Sequence, residues 1–190
     1  MTAKKGVTYR DRGRKRLIAA VEAMGSTVVT VGVQGSSAMK PAKVRKARGG
    51  RGRKKSKHAT RFANSKIRMV DLAAIHEFGA PIANIPERSF IRSTFADHGK
   101  IKRITRMALR DVIKGRTPLQ AATRAGMRLE AAVKKTLTDL RTPALAPSTI
   151  RRRYEMTGDS DPNPLVDTGQ LRSSISYQVR VKGSRVGGSD

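Results

Sequence analysis

The chain has no cysteine and no tryptophan. Without cysteine there are no disulfides, no thiolate nucleophile and none of the usual structural zinc sites. Aromatic residues make up only 4% of the chain, little material for recognising single strands by stacking bases. Acidic residues are also scarce, 14 against 41 lysines and arginines. No apolar run approaches the 18 or so residues of a membrane span, and the opening MTAKKGVTYRDRGRKR has no apolar core behind its charges. Neither a spanning helix, a membrane partner nor a secretory leader is therefore expected, and the setting expected for assembly is a cytosol-like compartment.

What is present in excess is positive charge. The formal net charge is +27 over 190 residues, a self-repulsion that makes sense beside a polyanion. Duplex DNA is the leading candidate, since it carries about one charge per 1.7 Å of axis and gains entropy by shedding counterions. Ribosomal RNA, anionic membrane and acidic protein surfaces are the other polyanions of that kind. The length suits a single core with appendages.

Periodicity divides the chain. Leu17, Ile18, Val21 and Met24 recur at helical spacing before Gly25, and Val29, Val31 and Val33 alternate as one face of a strand. The segment 69–78 predicts a two-turn helix with Asp71 near its start, Val70, Ala73, Ala74, Glu77 and Phe78 along one face and Gly79 after it. Pro81 and Pro86 hold the next stretch extended, ahead of one or two helical turns from Ser89. A helix over 100–114 and a longer one from 117 to 141 follow. The second opens with a Thr117/Gln120 capping box and Pro118, and Leu119, Ala122, Gly126, Leu129, Val133, Leu137 and Leu140 make its apolar face. Its small residues Ala121, Ala122, Ala125 and Gly126 invite close approach by another helix. A short helical turn is expected at 148–153, a brief helix capped by Asp167 or Thr168, and a final strand in which Ile175, Tyr177, Val179 and Val181 alternate with a wet face. Pairing that strand antiparallel to 27–33 gives an α+β fold, a small antiparallel sheet packed by several helices. The ends, 1–12 and 183–190, read as flexible.

Catalysis has little to stand on. His58, His76 and His98 lack metal-ligand spacing, and His76-Glu77 has no second histidine following it on the helix. Asp159, Asp161 and Asp167 are better explained by turns and capping. No enzyme activity, cofactor or metal is expected.

Between the first strand and the second helix, residues 36–68 read as a long basic loop without regular structure when unbound. Its centre, KPAKVRKARGGRGRKKSKHATRFA, supplies Lys40, Lys43, Arg45, Lys46, Arg48, Arg51, Arg53, Lys54, Lys55, Lys57 and Arg61 with no acidic residue among them. Such a loop would meet phosphates or an acidic partner rather than base edges. Phe62 is its only aromatic residue, and its glycines lack the strand and helix of a phosphate-cradling motif.

Two further stretches, AAIHEFGAPIANIPERSFIRSTF and PLVDTGQLRSSISYQV, together with LAPSTIRRR, carry a family resemblance. They resemble the tailed-phage proteins called virion morphogenesis, tail completion or neck proteins, similar to the lambda-type minor tail protein Z group. The resemblance covers most of residues 14–182 outside the basic insertion, within a single domain over 13–182. It implies a structural virion protein of the neck, a tail terminator ring protein being the nearest rival. That protein would form a homo-oligomeric ring, hexamer or dodecamer, around the DNA channel. Its neighbours would be head-closure, terminator and tail-tube proteins and the backbone of the genomic duplex. Carried over by position, His76, Glu77, Phe78, Gly79, Pro86, Arg88 and Phe90 match the first signature, and Asp167, Thr168, Gly169 and Leu171 the second. The resemblance implies roles in fold and subunit contact for them, with Phe78 and Phe90 as anchors and Arg88 pairing with Glu77 or a neighbour's carboxylate. The insertion departs from the family pattern, so its role rests on its charge. A free, non-specific nucleic-acid-binding protein is the alternative that composition alone supports.

Overall fold

The computed structural model of the chain describes residues 13–42, 67–158 and 163–189. In order, the elements are α1 (Arg14–Gly25), β1 (Thr27–Val33), α2 (Ser36–Met39), α3 (Met69–Phe78), a 3-10 turn (Pro81–Ala83), α4 (Ile91–Ala96), α5 (His98–Ile113), α6 (Pro118–Asp139), α7 (Pro147–Thr157), α8 (Gln170–Ser174), β2 (Ile175–Val181) and β3 (Ser184–Gly188). The architecture is α+β: one antiparallel sheet in the order β1-β2-β3, with helices packed on it.

The long helix α6 organises the core because its ends are well defined and its apolar stripe is continuous. Thr117 Oγ1 accepts from the Gln120 N–H at 3.2 Å, and Gln120 returns the bond to the Thr117 N–H at 3.1 Å. Val133 and Leu137 are fully buried against Phe90, Leu171 and Ile175. Farther up α6, Ala122 meets Tyr177 and Val179, and Ala125 meets Ile104 and Ala108 of α5. The small residues thus serve two neighbours. At Gly126 the close approach is by a strand rather than the helix expected, since a Cβ there would lie 2.9 Å from Cγ of the Tyr177 ring. Leu119, assigned to the same stripe, is exposed.

Strand pairing runs from Thr27 opposite Val181 to Val33 opposite Ile175, so Val29, Val31 and Val33 share the inner face with Ile175, Tyr177 and Val179. The expected wet face of β2 is corrected: Ser176 and Gln178 are buried, and only Arg180 is exposed. The central position explains it, because strands flank β2 on both sides and the Gln34 side chain crosses to the Ser176 carbonyl at 3.0 Å. The C-terminal segment is also corrected. Residues read as a flexible end form β3, turned by Lys182 and Gly183, both at positive φ (47° and 86°), a two-residue hairpin of the kind right-twisted strands favour. Ser189 secures the end, its hydroxyl donating to Glu130 at 2.6 Å.

Smaller revisions concern helix ends. The helix expected from 100 starts at His98, capped by the Asp97 carboxylate on the Lys100 N–H at 2.9 Å. The turn expected at 148–153 extends over 11 residues as α7. Neither Asp167 nor Thr168 caps α8; the N-cap is Gly169, at φ 73°. In α1 the helical spacing holds, yet Leu17, Ile18 and Val21 stay exposed and only Met24 packs on the core.

Candidate functional site

Three parts of the molecule could carry function: the base of the basic insertion, the paired signatures and the exposed helix faces. At the insertion, the two ends of the 36–68 connection are structured, contrary to the sequence reading. Ser36–Met39 form a helical turn, Pro41 pairs with Arg68, the Ala42 N–H donates to the Ile67 carbonyl at 2.8 Å, and the Met69 N–H to the Lys40 carbonyl at 2.9 Å. The chain therefore leaves and returns through one short ladder, with exposed Lys40 at its base. Lys43, Arg45, Lys46, Arg48, Arg51, Arg53, Lys54, Lys55, Lys57 and Arg61 lie outside the described residues, as do 1–12, Asp159 and Asp161.

The first signature is built around Glu77. Met69, Ala73 and Glu77 recur every four residues on the inward side of α3, which places a carboxylate in the interior. Its oxygens accept from the backbone N–H groups of Phe90, Ile91 and Arg92, each at 2.9 Å, and from the Ser89 hydroxyl at 2.7 Å. These are the donors that a helix start leaves unsatisfied, so a side chain of α3 caps α4 from outside. Arg92 closes the arrangement, donating to the Glu77 carboxylate at 3.2 Å, to the Glu77 carbonyl at 2.8 Å and to Glu87 at 2.6 Å. Phe90 is locked in the core at 0% exposure, burial that contributes about 1.5–3 kcal/mol. Phe78 is no such anchor: it is 64% exposed, with Arg92 lying 4.9 Å over its ring. Gly79, at φ 75°, lets the chain double back, and a Cβ there would stand 2.9 Å from the Glu87 nitrogen.

Arg88 makes no pair with Glu77, the first of the two partners expected for it. Its guanidinium is buried, the residue 5% exposed, and it donates to the carbonyls of Pro143 at 3.0 Å and Ala144 at 3.1 Å. No carboxylate among the described residues pairs with it. Beside it stand His76 and Arg153. Burial, then the charges of Arg88 and Arg153, pushes the His76 imidazole down to about 4, and its Nδ1 is buried without a hydrogen-bond partner. Burial, with Arg153 nearby, likewise lowers Arg88. Arg153 is held by the Asn163 carbonyl at 2.7 Å and lies 3.6 Å from Asp167.

The two signatures meet here. His76, Phe78, Gly79, Pro86 and Arg88 line one side of a cleft of about 990 Å³, and Asp167, Thr168, Gly169 and Leu171 line the other. Glu77 and Phe90 stand behind the wall as its support. Arg153 belongs to the same cleft, and nothing in the sequence distinguishes it. Three consecutive arginines give no sign of which one turns inward.

A second feature that sequence reasoning missed lies on α5. Lys102, Arg103, Arg106 and Arg110, with Lys114 at the C-cap, are all exposed, and none forms an ion pair within the described residues. At 3.6 residues per turn they fall within an arc of about 120° and extend along about 18 Å of helix axis. The opposite side buries Ile104, Ala108, Asp111 and Val112, and Asp111 is pinned there by Arg116 and by Arg124 at 3.1 Å. The sequence does hold the signal, because the same 3.6 period that marks the apolar stripe also marks its cationic complement.

Among the described residues, no group of three or more His, Cys, Asp or Glu could hold a metal ion, and no helix is long and apolar enough to cross a membrane. No protein-family model, no curated protein and no solved structure matches the chain.

Proposed function

We propose that the protein is a structural, non-catalytic component of a phage neck, completing the tail or joining it to the head as a ring around the DNA channel. The observation that carries the reading is the cationic stripe of α5: four exposed cations on a regular helix and a fifth at its C-cap, with no carboxylate of the helix on that face. A face of this kind suits phosphates or an acidic neighbouring ring, and repetition by ring symmetry makes weak contacts add. The basic segment 36–68 is assigned the same electrostatic task. The sequence resemblance supplies the location, and the exposed Leu17, Ile18 and Val21 of α1 offer apolar surface for contact between subunits.

The test is assembly. Particles made without this protein should accumulate as filled heads and separate tails, with joining restored by adding it back, and it should be imaged between the portal and the first tail ring. Joined, infectious particles at undiminished yield in its absence overturn the proposal. A free nucleic-acid-binding protein would instead co-sediment with host nucleic acid and need no virion.

A further inference from the structure

We infer that the cleft between the two signatures is a binding site for a carboxylate side chain, carried by an apolar-flanked peptide of a different protein. Charge is the first indication. Of the charged groups lining the cleft, Glu87 is held by Arg92 at 2.6 Å and Asp167 lies 3.6 Å from Arg153. Arg88 has only carbonyls as partners. A guanidinium has five donors in a planar fork, and two bonds to carbonyls leave part of that fork unused. Buried cations are ordinarily paired, so one lacking a counter-charge at the wall of an open cleft marks a place for an anion.

The size of the excess selects the anion. One unpaired guanidinium matches a single negative charge, which suits a carboxylate better than a phosphate dianion. Between the polar groups the wall carries apolar side chains, Leu72, Ile85, Leu145 and Leu171 among them, which fit aliphatic neighbours along a peptide. A volume of about 990 Å³ takes several residues rather than one ion. The buried Nδ1 of His76 supplies a further polar contact, as donor or acceptor according to its tautomer.

This chain is poorly equipped to supply the ligand to another copy of itself. Among the described residues, Asp71, Glu87, Asp97, Asp111, Glu130, Asp139 and Asp167 stand in ion pairs of their own and Glu77 is spent on α4, which leaves exposed Glu22 and Glu155 as the carboxylates that a second copy could offer. With a net charge of +27, an acidic partner is also the one whose approach is favoured. The inference stands whether or not the protein sits in a phage neck.

The test uses the full chain and NMR of its histidine rings, with exposed His98 as the internal control. The probes are acetyl-Leu-Glu-Leu-amide, its Gln counterpart and inorganic phosphate. The Glu peptide should move the His76 signals and leave those of His98 in place, and the Gln peptide should bind about tenfold more weakly or worse, the loss of a charge-assisted bond. Arg88→Gln should abolish the response. In case that variant fails to fold, Thr149→Glu provides a second route: Thr149 lines the cleft at the third position of α7, where Glu suits a helix start, and a resident carboxylate should block the peptide. Equal binding of the Glu and Gln peptides, tighter binding of phosphate, or a His76 signal that no probe moves each overturns the inference. So does a His76 shift that appears on raising the protein concentration alone, together with self-association.

Discussion

Replacing Glu77 by Gln tests whether one buried carboxylate holds the first signature together. The substitution keeps the shape and removes one acceptor. One carboxylate oxygen accepts from the N–H groups of Phe90 and Ile91, the other from the Ser89 hydroxyl and from the Arg92 N–H and Nε–H. Whichever way the amide turns, its NH₂ faces at least two donors at a site only 5% exposed. At about 1.5–3 kcal/mol for each hydrogen bond to a charged group, two broken bonds imply a destabilisation of about 3–6 kcal/mol. For a chain of this size each kcal/mol moves Tm by about 2–4 °C, so a fall of about 6–24 °C is expected. Urea unfolding followed by circular dichroism measures it, with an unchanged m-value showing that the same surface is exposed. The gap should also narrow in acid. Burial works to raise the Glu77 carboxyl, but the N–H groups of Ile91 and Arg92, the Ser89 hydroxyl and the Arg92 side chain outweigh it and hold the group below its ordinary 4.5. Its stabilisation is thus present above the unfolded value and lost as pH falls through the lower folded one, a loss Gln cannot show. A destabilisation under about 1 kcal/mol at neutral pH would refute the external cap.

Other substitutions probe the cleft, the turns and the cationic face. His76 gives a loss of the same sign from a different cause, burial of the neutral ring: its folded value of about 4 lies below its ordinary 6.5, so the unfolded chain takes up the proton first and stability falls as pH drops between those values. That decline amounts to about 3 kcal/mol, and His76→Gln should flatten it in urea midpoints measured against pH; an identical slope counts against burial of the neutral ring. Gly79→Ala combines a positive φ with a 2.9 Å approach to the Glu87 backbone and should cost about 2 kcal/mol or more in chemical unfolding. Gly126→Ala gains up to about 1 kcal/mol of helix propensity yet meets the Tyr177 ring. A net loss of stability is expected, recovered in part when Tyr177→Leu is added. Neutralising Lys102, Arg106 and Arg110 to Gln should flatten the salt dependence of binding to a mixed-sequence DNA duplex by about 0.9 in log–log slope for each phosphate left without its cation; an unchanged slope places the DNA-binding surface elsewhere.

The sequence by itself determined the elements whose cause is local. The capping box at Thr117 and Gln120, the alternation of Val29, Val31 and Val33 and the stripe from Ala122 to Leu140 each rest on neighbours a few positions away, so period and cap suffice to place them. It also determined the strongly cationic character of the chain, because net charge is a sum over residues and needs no geometry. What only the tertiary structure decided depends on groups far apart in the chain. Glu77 finds the Phe90 N–H across 13 positions, and Arg88 finds the Pro143 carbonyl across 55. Glycine-rich β3 gave no propensity to read, being ordered by its pairing with β2. The cleft, with its uncompensated guanidinium, exists only where α3, the strap after it, α7 and the segment leading into α8 come together. Hydrogen-bond direction and burial set the role of each side chain there, and neither is a property of the residue until its neighbours are in place.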